Sequence, residues 1–334
     1  VVDVLSGLSL HSLLEPNGRA RALIRLLRAR PPRFRLPFVA GSAWLSIRSH
    51  LGLDPGEALE QWLRRTLANH GIHTTADLYA RMRCLPESIG LRDGRDLTAE
   101  QKSPYLAIVA CDLSTETKVD FPRMAGLYWK DPDQVHPATF VRASAAVPFF
   151  FRPYRVSGIP RDDGAWQRWQ ELANYSEDIP AECIFVDGGI MSNFPIHLFH
   201  ARALAAAPTF GVRLGTGRRK RHSIARPTQL MQAVIDSARH CLDYDFLTQN
   251  PDYRRLVACI DTGEHDWLDF DLSEEAKLDL FTRGVRAGFD FLVRFDWERY
   301  KRLRSQTPAG NGNPAARRAA ASAIEMRLSA AAGE

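Results

Sequence analysis

A short apolar run that stops at an acid and a pair of glycines constrains this chain more than any other stretch. Ile184, Phe185 and Val186 have the character of the end of a buried strand, and Asp187-Gly188-Gly189 follows at once. Two glycines in succession let the backbone turn tightly and take positive φ angles that other residues avoid. A carboxylate in that place sits at a strand end on a fixed turn, where α/β folds put their chemistry. Asp-Gly pairs also make ordinary turns between ordinary elements, so the neighbouring segments decide between a functional acid and a plain turn.

Those segments alternate strand and helix. Residues 1–7 read as a strand ending in a glycine turn, and residues 8–14 as the opening of a helix. Residues 19–30 read as a basic helix stopped by Pro31-Pro32, and residues 33–51 as irregular or weakly helical chain suited to a cap. Residues 54–70 predict an amphipathic helix: Leu59, Trp62, Leu63 and Leu67 recur at helical spacing, with Pro55 near the start and Gly71 beyond the end. A further helix opens at Thr75. Residues 105–112 predict a buried strand, 118–121 its hairpin partner, and 137–146 a helix that stops before Pro148. Residues 161–180 read as a polar surface insertion. After the strand at 183–186 come a helix at 195–206, a strand at 209–214, a long helix at 227–250 and a strand at 255–261. Residues 273–295 predict a helix with Ser273 as cap and Glu274 and Glu275 in its first turn. From Ser305 the chain is rich in Ala, Gly, Asn and Pro. Strands alternating with helices imply an α/β fold with a mostly parallel sheet flanked by helices.

Composition narrows the partners. Hydrophobic residues make up 45% of the 334 and charged residues 25%, as in ordinary globular proteins. Lys and Arg number 44 against 39 Asp and Glu, so the net charge is +5. That mild excess suits an anionic surface or substrate without demanding one. Arginine clusters at 19–35 and 218–221 read as solvated faces, and no nucleic-acid-binding motif accompanies them, so no nucleic-acid partner is expected. The five cysteines, at 84, 111, 183, 241 and 259, form no Cys-x-x-Cys pair. Their spacing argues against a disulfide framework and against a zinc site. Cys111 and Cys183 lie in apolar runs that predict burial. With no signal peptide and no run of about 18 apolar residues, the expected location is the cytoplasm or a membrane surface. The chain opens at Val1 inside an apolar stretch, and its true beginning is expected to lie upstream.

Three blocks then fall into line: Val2-Asp3-Val4-Leu5-Ser6-Gly7-Leu8-Ser9; Ala110-Cys111-Asp112-Leu113-Ser114 with Val141-Arg142-Ala143-Ser144-Ala145-Ala146-Val147-Pro148-Phe149-Phe150; and Val186-Asp187-Gly188-Gly189 with Asn193 and Pro195 behind it. Together they resemble the patatin-like phospholipase family over nearly the whole chain. The segments at 52–71 with Thr75-Ala76-Asp77-Leu78, and at 260–284, are similar to bacterial members.

The resemblance implies a three-layer α/β/α fold over residues 1–304, with 305–334 as a C-terminal tail. It implies a Ser-Asp dyad that cleaves acyl esters of phospholipids or neutral lipids, with no metal or organic cofactor and with possible contact with a membrane surface. By position Ser9 takes the nucleophile's place on a strand-to-helix elbow, with Gly7 before it. Asp187, backed by Gly188 and Gly189, takes the place of the base. Asp112 becomes structural, Arg142 an anchor for backbone or a carboxylate, and Ser144 a cap or packing residue. Ser9 has a plainer reading as a helix cap, and Ser42 is a weaker rival nucleophile because no strand precedes it. The family's pattern departs here at His11, which stands where the elbow's second glycine belongs. The family's glycine-rich oxyanion loop would lie before Val1. These two departures keep a second class in play: a patatin-fold pseudoenzyme that binds lipid or a protein partner without turnover. Phe149, Phe150 and Phe151 are expected to border the lipid entrance, because three successive residues of an extended segment cannot all point inward.

Overall fold

The computed structural model describes residues 10–15, 45–86, 94–192, 194–199, 207–214, 251–265 and 272–306, with a few isolated positions besides. The chain divides into two compact units, Val1–Met191 and Ser192–Glu334.

In the first unit, residues 45–50 are helical and lead to strand β1 (Gly52–Asp54), which is buried throughout. Helix α1 runs Glu57–Ala68. It begins at Glu57 and not at Asp54, because Pro55 and the left-handed Gly56 (φ 76°) break the chain between them. Glu57 and Glu60 put negative charge at the positive end of its dipole, and Arg64 bridges back to Glu60 at 2.7 Å. Helix α2 (Thr75–Arg83) opens on a capping box between Thr74 and Asp77. After the short α3 (Ala99–Lys102) come strands β2 (Ile108–Asp112) and β3 (Thr117–Phe121), paired antiparallel as the predicted hairpin. Helix α4 (Pro137–Ser144) starts on proline, which tolerates the first helical position, and the His136 ring caps it by accepting from the Ala138 amide at 3.1 Å.

Strands β4 (Phe149–Phe151) and β5 (Tyr154–Ser157), helix α5 (Ala165–Ala173) and strand β6 (Glu182–Asp187) complete this unit. Four strands form one sheet in the order β3-β2-β6-β5, while β1 pairs with β4 alone. The α/β class expected from the sequence holds. Parallel pairing, however, is confined among the described residues to β1 with β4 and to a strand pair in the second unit. The sheet that carries Asp187 is antiparallel at every pairing, because β6 runs opposite to both its neighbours.

The core of this unit is aromatic. Phe121 stacks on Phe140 with centroids 4.9 Å apart, and Tyr128 meets Phe185 edge-on at 4.8 Å. Each such pair adds about 0.5–1.5 kcal/mol beyond the area it buries. Residues 161–180 are more than a surface insertion. Within α5, Ala165 and Trp169 are buried, and Trp169 packs edge-on against Tyr128 at 5.3 Å. The polar residues around them hide an apolar stripe at helical spacing.

The second unit pairs β7 (Gly211–Leu214) with β8 (Val257–Ile260), parallel. Helix α6 (Glu274–Arg294) is capped by the Ser273 hydroxyl, which accepts from the Ala276 amide, and α7 spans Trp297–Gln306. Tyr300 of α7 packs with Phe194, Ile196 and Leu256. The buried Asp252 pairs with Arg304 at 3.0 Å. The helix predicted at 195–206 appears among described residues as a 3-10 turn, Ile196–Phe199, and most of the one predicted at 227–250 lies outside them. Among the described residues no helix is long and apolar enough to cross a membrane.

Candidate active site

Strand β6 delivers Asp187. Cys183, Phe185 and Val186 are buried, so the strand is fixed by the core up to the residue before the acid. Asp187 itself is half-buried and pairs in register with Ala110 of β2. Its backbone amide donates to the Ala146 carbonyl at 3.0 Å, at the end of α4. Its Oδ1 accepts from the Gly189 amide at 2.6 Å, capping a 3-10 turn over Gly188–Ile190. The carboxylate is thus oriented by its own chain through a short charge-assisted bond.

Gly188 works differently from the sequence expectation. Gly188 takes no positive φ. A Cβ there would instead run into the Val109 carbonyl of β2, so glycine is required for close approach of two backbones. The Ser144 hydroxyl donates to that same Val109 carbonyl at 2.7 Å. The two blocks singled out in the sequence, around residues 142–148 and 187–189, are therefore bonded to one another and to β2.

Arg142 is 3% exposed and anchors backbone, as its sequence context predicts. Its guanidinium donates to the Pro55 carbonyl through Nε at 3.2 Å and through Nη2, and to the Arg152 carbonyl at 2.7 Å. Asp112 is fully buried and accepts from the Ser114 amide at 2.8 Å, the Thr115 hydroxyl at 2.9 Å and the Tyr128 hydroxyl at 3.3 Å. Burial, with Asp112 beside it, pushes the Tyr128 phenol well up, so it stays a donor. Cys111 and Cys183 are buried as expected. Burial first, and the Asp112 carboxylate second, push the Cys111 thiol up to about 12. The Cys183 thiol rises for the same reasons. Both shifts favour the thiol over the thiolate, which is the reactive form.

Gly7, Ser9 and Ser42 lie outside the described residues. The chain behind Ser9 is described from Leu10, as a 3-10 turn Leu10–Leu13 where the sequence predicts a helix, with Leu13 and Leu14 buried. Of the three phenylalanines, Phe149 is 48% exposed, Phe150 intermediate and Phe151 only 4% exposed: burial deepens along the run instead of alternating, and Phe149 sits at φ 67°, outside extended backbone. Among the described residues no group of three or more His, Cys, Asp or Glu is placed to hold a metal ion.

Two residues passed over in the sequence stand close to this framework. Asp54 is fully buried at the end of β1 and accepts from the Gly56 amide at 2.9 Å and the Glu15 amide at 3.1 Å. Glu15 in turn accepts from the Ala58 amide at 2.9 Å. An acid directly before Pro-Gly was the available signal for Asp54.

Comparison with known proteins agrees with this framework. The uncharacterized protein YqhO of Bacillus subtilis (strain 168) is 26% identical over 256 residues, which cover 76% of this chain and 72% of that protein. The family description "Patatin-like phospholipase" matches residues 5–200, a span that takes in Gly7, Ser9, α4 and the Asp187 turn. The chain belongs to the patatin-like phospholipase family, a family of lipid acyl hydrolases.

Proposed function

We propose that this chain cleaves acyl esters of phospholipids or neutral lipids, with Ser9 as nucleophile and Asp187 as its base. The observation that carries the reading is the double anchoring of Asp187, by its amide on Ala146 and by its carboxylate on Gly189. A base that must take a proton directly from a hydroxyl needs a fixed direction, and these bonds supply one. In the first half-reaction the Asp187 carboxylate takes the Ser9 proton as the serine oxygen attacks the ester carbonyl. The tetrahedral adduct collapses, and the alcohol leaves with the proton that Asp187 returns. In the second half-reaction Asp187 takes a proton from water, whose oxygen attacks the acyl-serine and frees the fatty acid and the serine hydroxyl. The steps draw on side chains of this chain and on water alone. Phe149, exposed shortly after Ala146, offers apolar surface to an acyl chain and to the face of a bilayer.

The test is hydrolysis of a short-chain nitrophenyl ester by the full-length protein. Ser9→Ala and Asp187→Asn should each remove nearly all turnover, and the double variant should be no worse than either, since the pair acts as a unit. Turnover unchanged in Ser9→Ala would refute the nucleophile. One observation favours the second reading, a lipid-binding protein without turnover. The chain behind Ser9 is a 3-10 turn, with His11 in the place of the elbow's second glycine. His11→Gly discriminates: a gain in turnover marks an elbow impaired by His11, and no change marks a backbone already adapted to it.

A further inference from the structure

We propose that Asp54 and Arg142 form one brace that positions both members of the candidate dyad, acting through Glu15 on the segment behind Ser9 and through α4 on the turn of Asp187. Its catalytic consequence rests on the Ser9–Asp187 reading. Its structural consequence does not.

The first arm starts at Asp54. Its Oδ2 accepts from the Glu15 amide and its Oδ1 from the Gly56 amide. The Glu15 carboxylate then reaches the Ala58 amide in the first turn of α1. Glu15 is thereby gripped at its backbone by β1 and at its side chain by α1. Leu13 and Leu14, directly before Glu15, are both buried, so the grip holds a packed segment.

The second arm starts at Arg142. Its guanidinium gathers the Pro55 and Arg152 carbonyls, which follow β1 and β4. The loop between β1 and α1 is built around it: Gly56 sits at φ 76°, and a Cβ there would strike the guanidinium. Arg142 lies in the last turn of α4, next to the groups that hold the acid turn. At that same end the Ser144 hydroxyl donates to the Val109 carbonyl, and the Ala146 carbonyl just beyond accepts from the Asp187 amide. The two arms meet at Asp54-Pro55-Gly56, where the guanidiniums of Arg142 and Arg152 each attract the Asp54 carboxylate. Burial pushes the Asp54 carboxyl up, and the Gly56 and Glu15 amides and then the two arginines oppose that rise. Segments from opposite ends of this unit's sequence therefore take their positions from one junction.

Hydrogen–deuterium exchange on the folded full chain tests the brace without any substrate. In Arg142→Gln, peptides covering residues 10–15 and 184–191 should both exchange about tenfold faster than in the wild type. In Glu15→Ala only the first peptide should respond. Faster exchange confined to the neighbourhoods of Pro55 and Arg152, with both arms at the wild-type rate, overturns the proposal. Should Arg142→Gln fail to fold, Asp54→Asn, of equal volume, carries the same measurement. On the nitrophenyl ester, folded Arg142→Gln should lose about 10²-fold in kcat, the scale of an ångström-level misplacement, with KM within about twofold. A structural prop alone would lower the yield of folded protein and leave kcat per folded molecule intact, and that result also overturns the brace. Full activity in Ser9→Ala sinks the dyad reading instead, and leaves the exchange outcome to decide the brace.

Discussion

Replacing Gly188 by alanine tests the acid turn most directly. The added methyl would meet the Val109 carbonyl and, beyond it, the Ala110 amide. These are backbone atoms of β2, which is hydrogen-bonded on both sides, to β3 and to β6, so no flexible side chain can yield. Overpacking of a rigid site costs about 1–3 kcal/mol, and a backbone obstacle puts this variant in the upper part of that range. The first unit spans Val1–Met191. For a unit of that size, about 2–3 kcal/mol lowers Tm by roughly 4–12 °C. The strain is relieved by lifting Asp187 and its turn away from β2 by roughly 1 Å, and turnover should fall by about 10²-fold for that displacement. Thermal unfolding followed by circular dichroism gives the first number, and initial rates on a nitrophenyl ester give the second. Gly126→Ala is the control, because a Cβ there meets nothing within 4 Å. It should sit within about 1 kcal/mol of the wild type. A Gly188→Ala protein that unfolds at the wild-type temperature would refute the close-approach argument.

Two further outcomes follow from burial. Trp169→Ala should destabilise the chain by about 3–5 kcal/mol in denaturant titration, whereas Trp166→Ala, at a position 51% exposed, should cost less than about 1 kcal/mol. Equal losses would contradict the packing of α5. Under native conditions at pH 8, iodoacetamide should label Cys84 and Cys259, which are exposed, and spare Cys111 and Cys183 until the chain is unfolded. Peptide mass spectrometry reads this, and native labelling of Cys183 would contradict its burial.

Local signals were legible and non-local ones were not. The β2–β3 hairpin, α4, β6 and the Ser273 cap of α6 follow from periodicity and turn chemistry, which act over a few residues. So does the placement of Asp187 on a tight turn at a strand end. The reason for Gly188 was not legible, because the obstacle is the carbonyl of Val109, far away in sequence. The sense of pairing of β6 was equally hidden: an apolar run carries no direction, and alternation with helices favours parallel sheets only on average. Asp54 read as a helix start because Pro55 follows it and the apolar residues behind recur at helical spacing. Only the fold shows it buried against the Glu15 amide. Trp169 was masked by the polar composition around it.

The strand order β3-β2-β6-β5 has a consequence for how the protein is made. The last of these strands to leave the ribosome belongs in the interior of the sheet. While the chain is being synthesised, β2 and β3 can close on each other as a local hairpin. The opposite side of β2 stays open, and β5 has no partner in this sheet, until Glu182–Asp187 emerges. Open strand edges invite pairing with other nascent or unfolded chains. A polypeptide released just short of this point would leave both of these edges unfilled and would lack Asp187. Insertion of β6 fills both of these edges and sets Asp187 on its turn in one event, leaving β3 and β5 as the edge strands of this sheet.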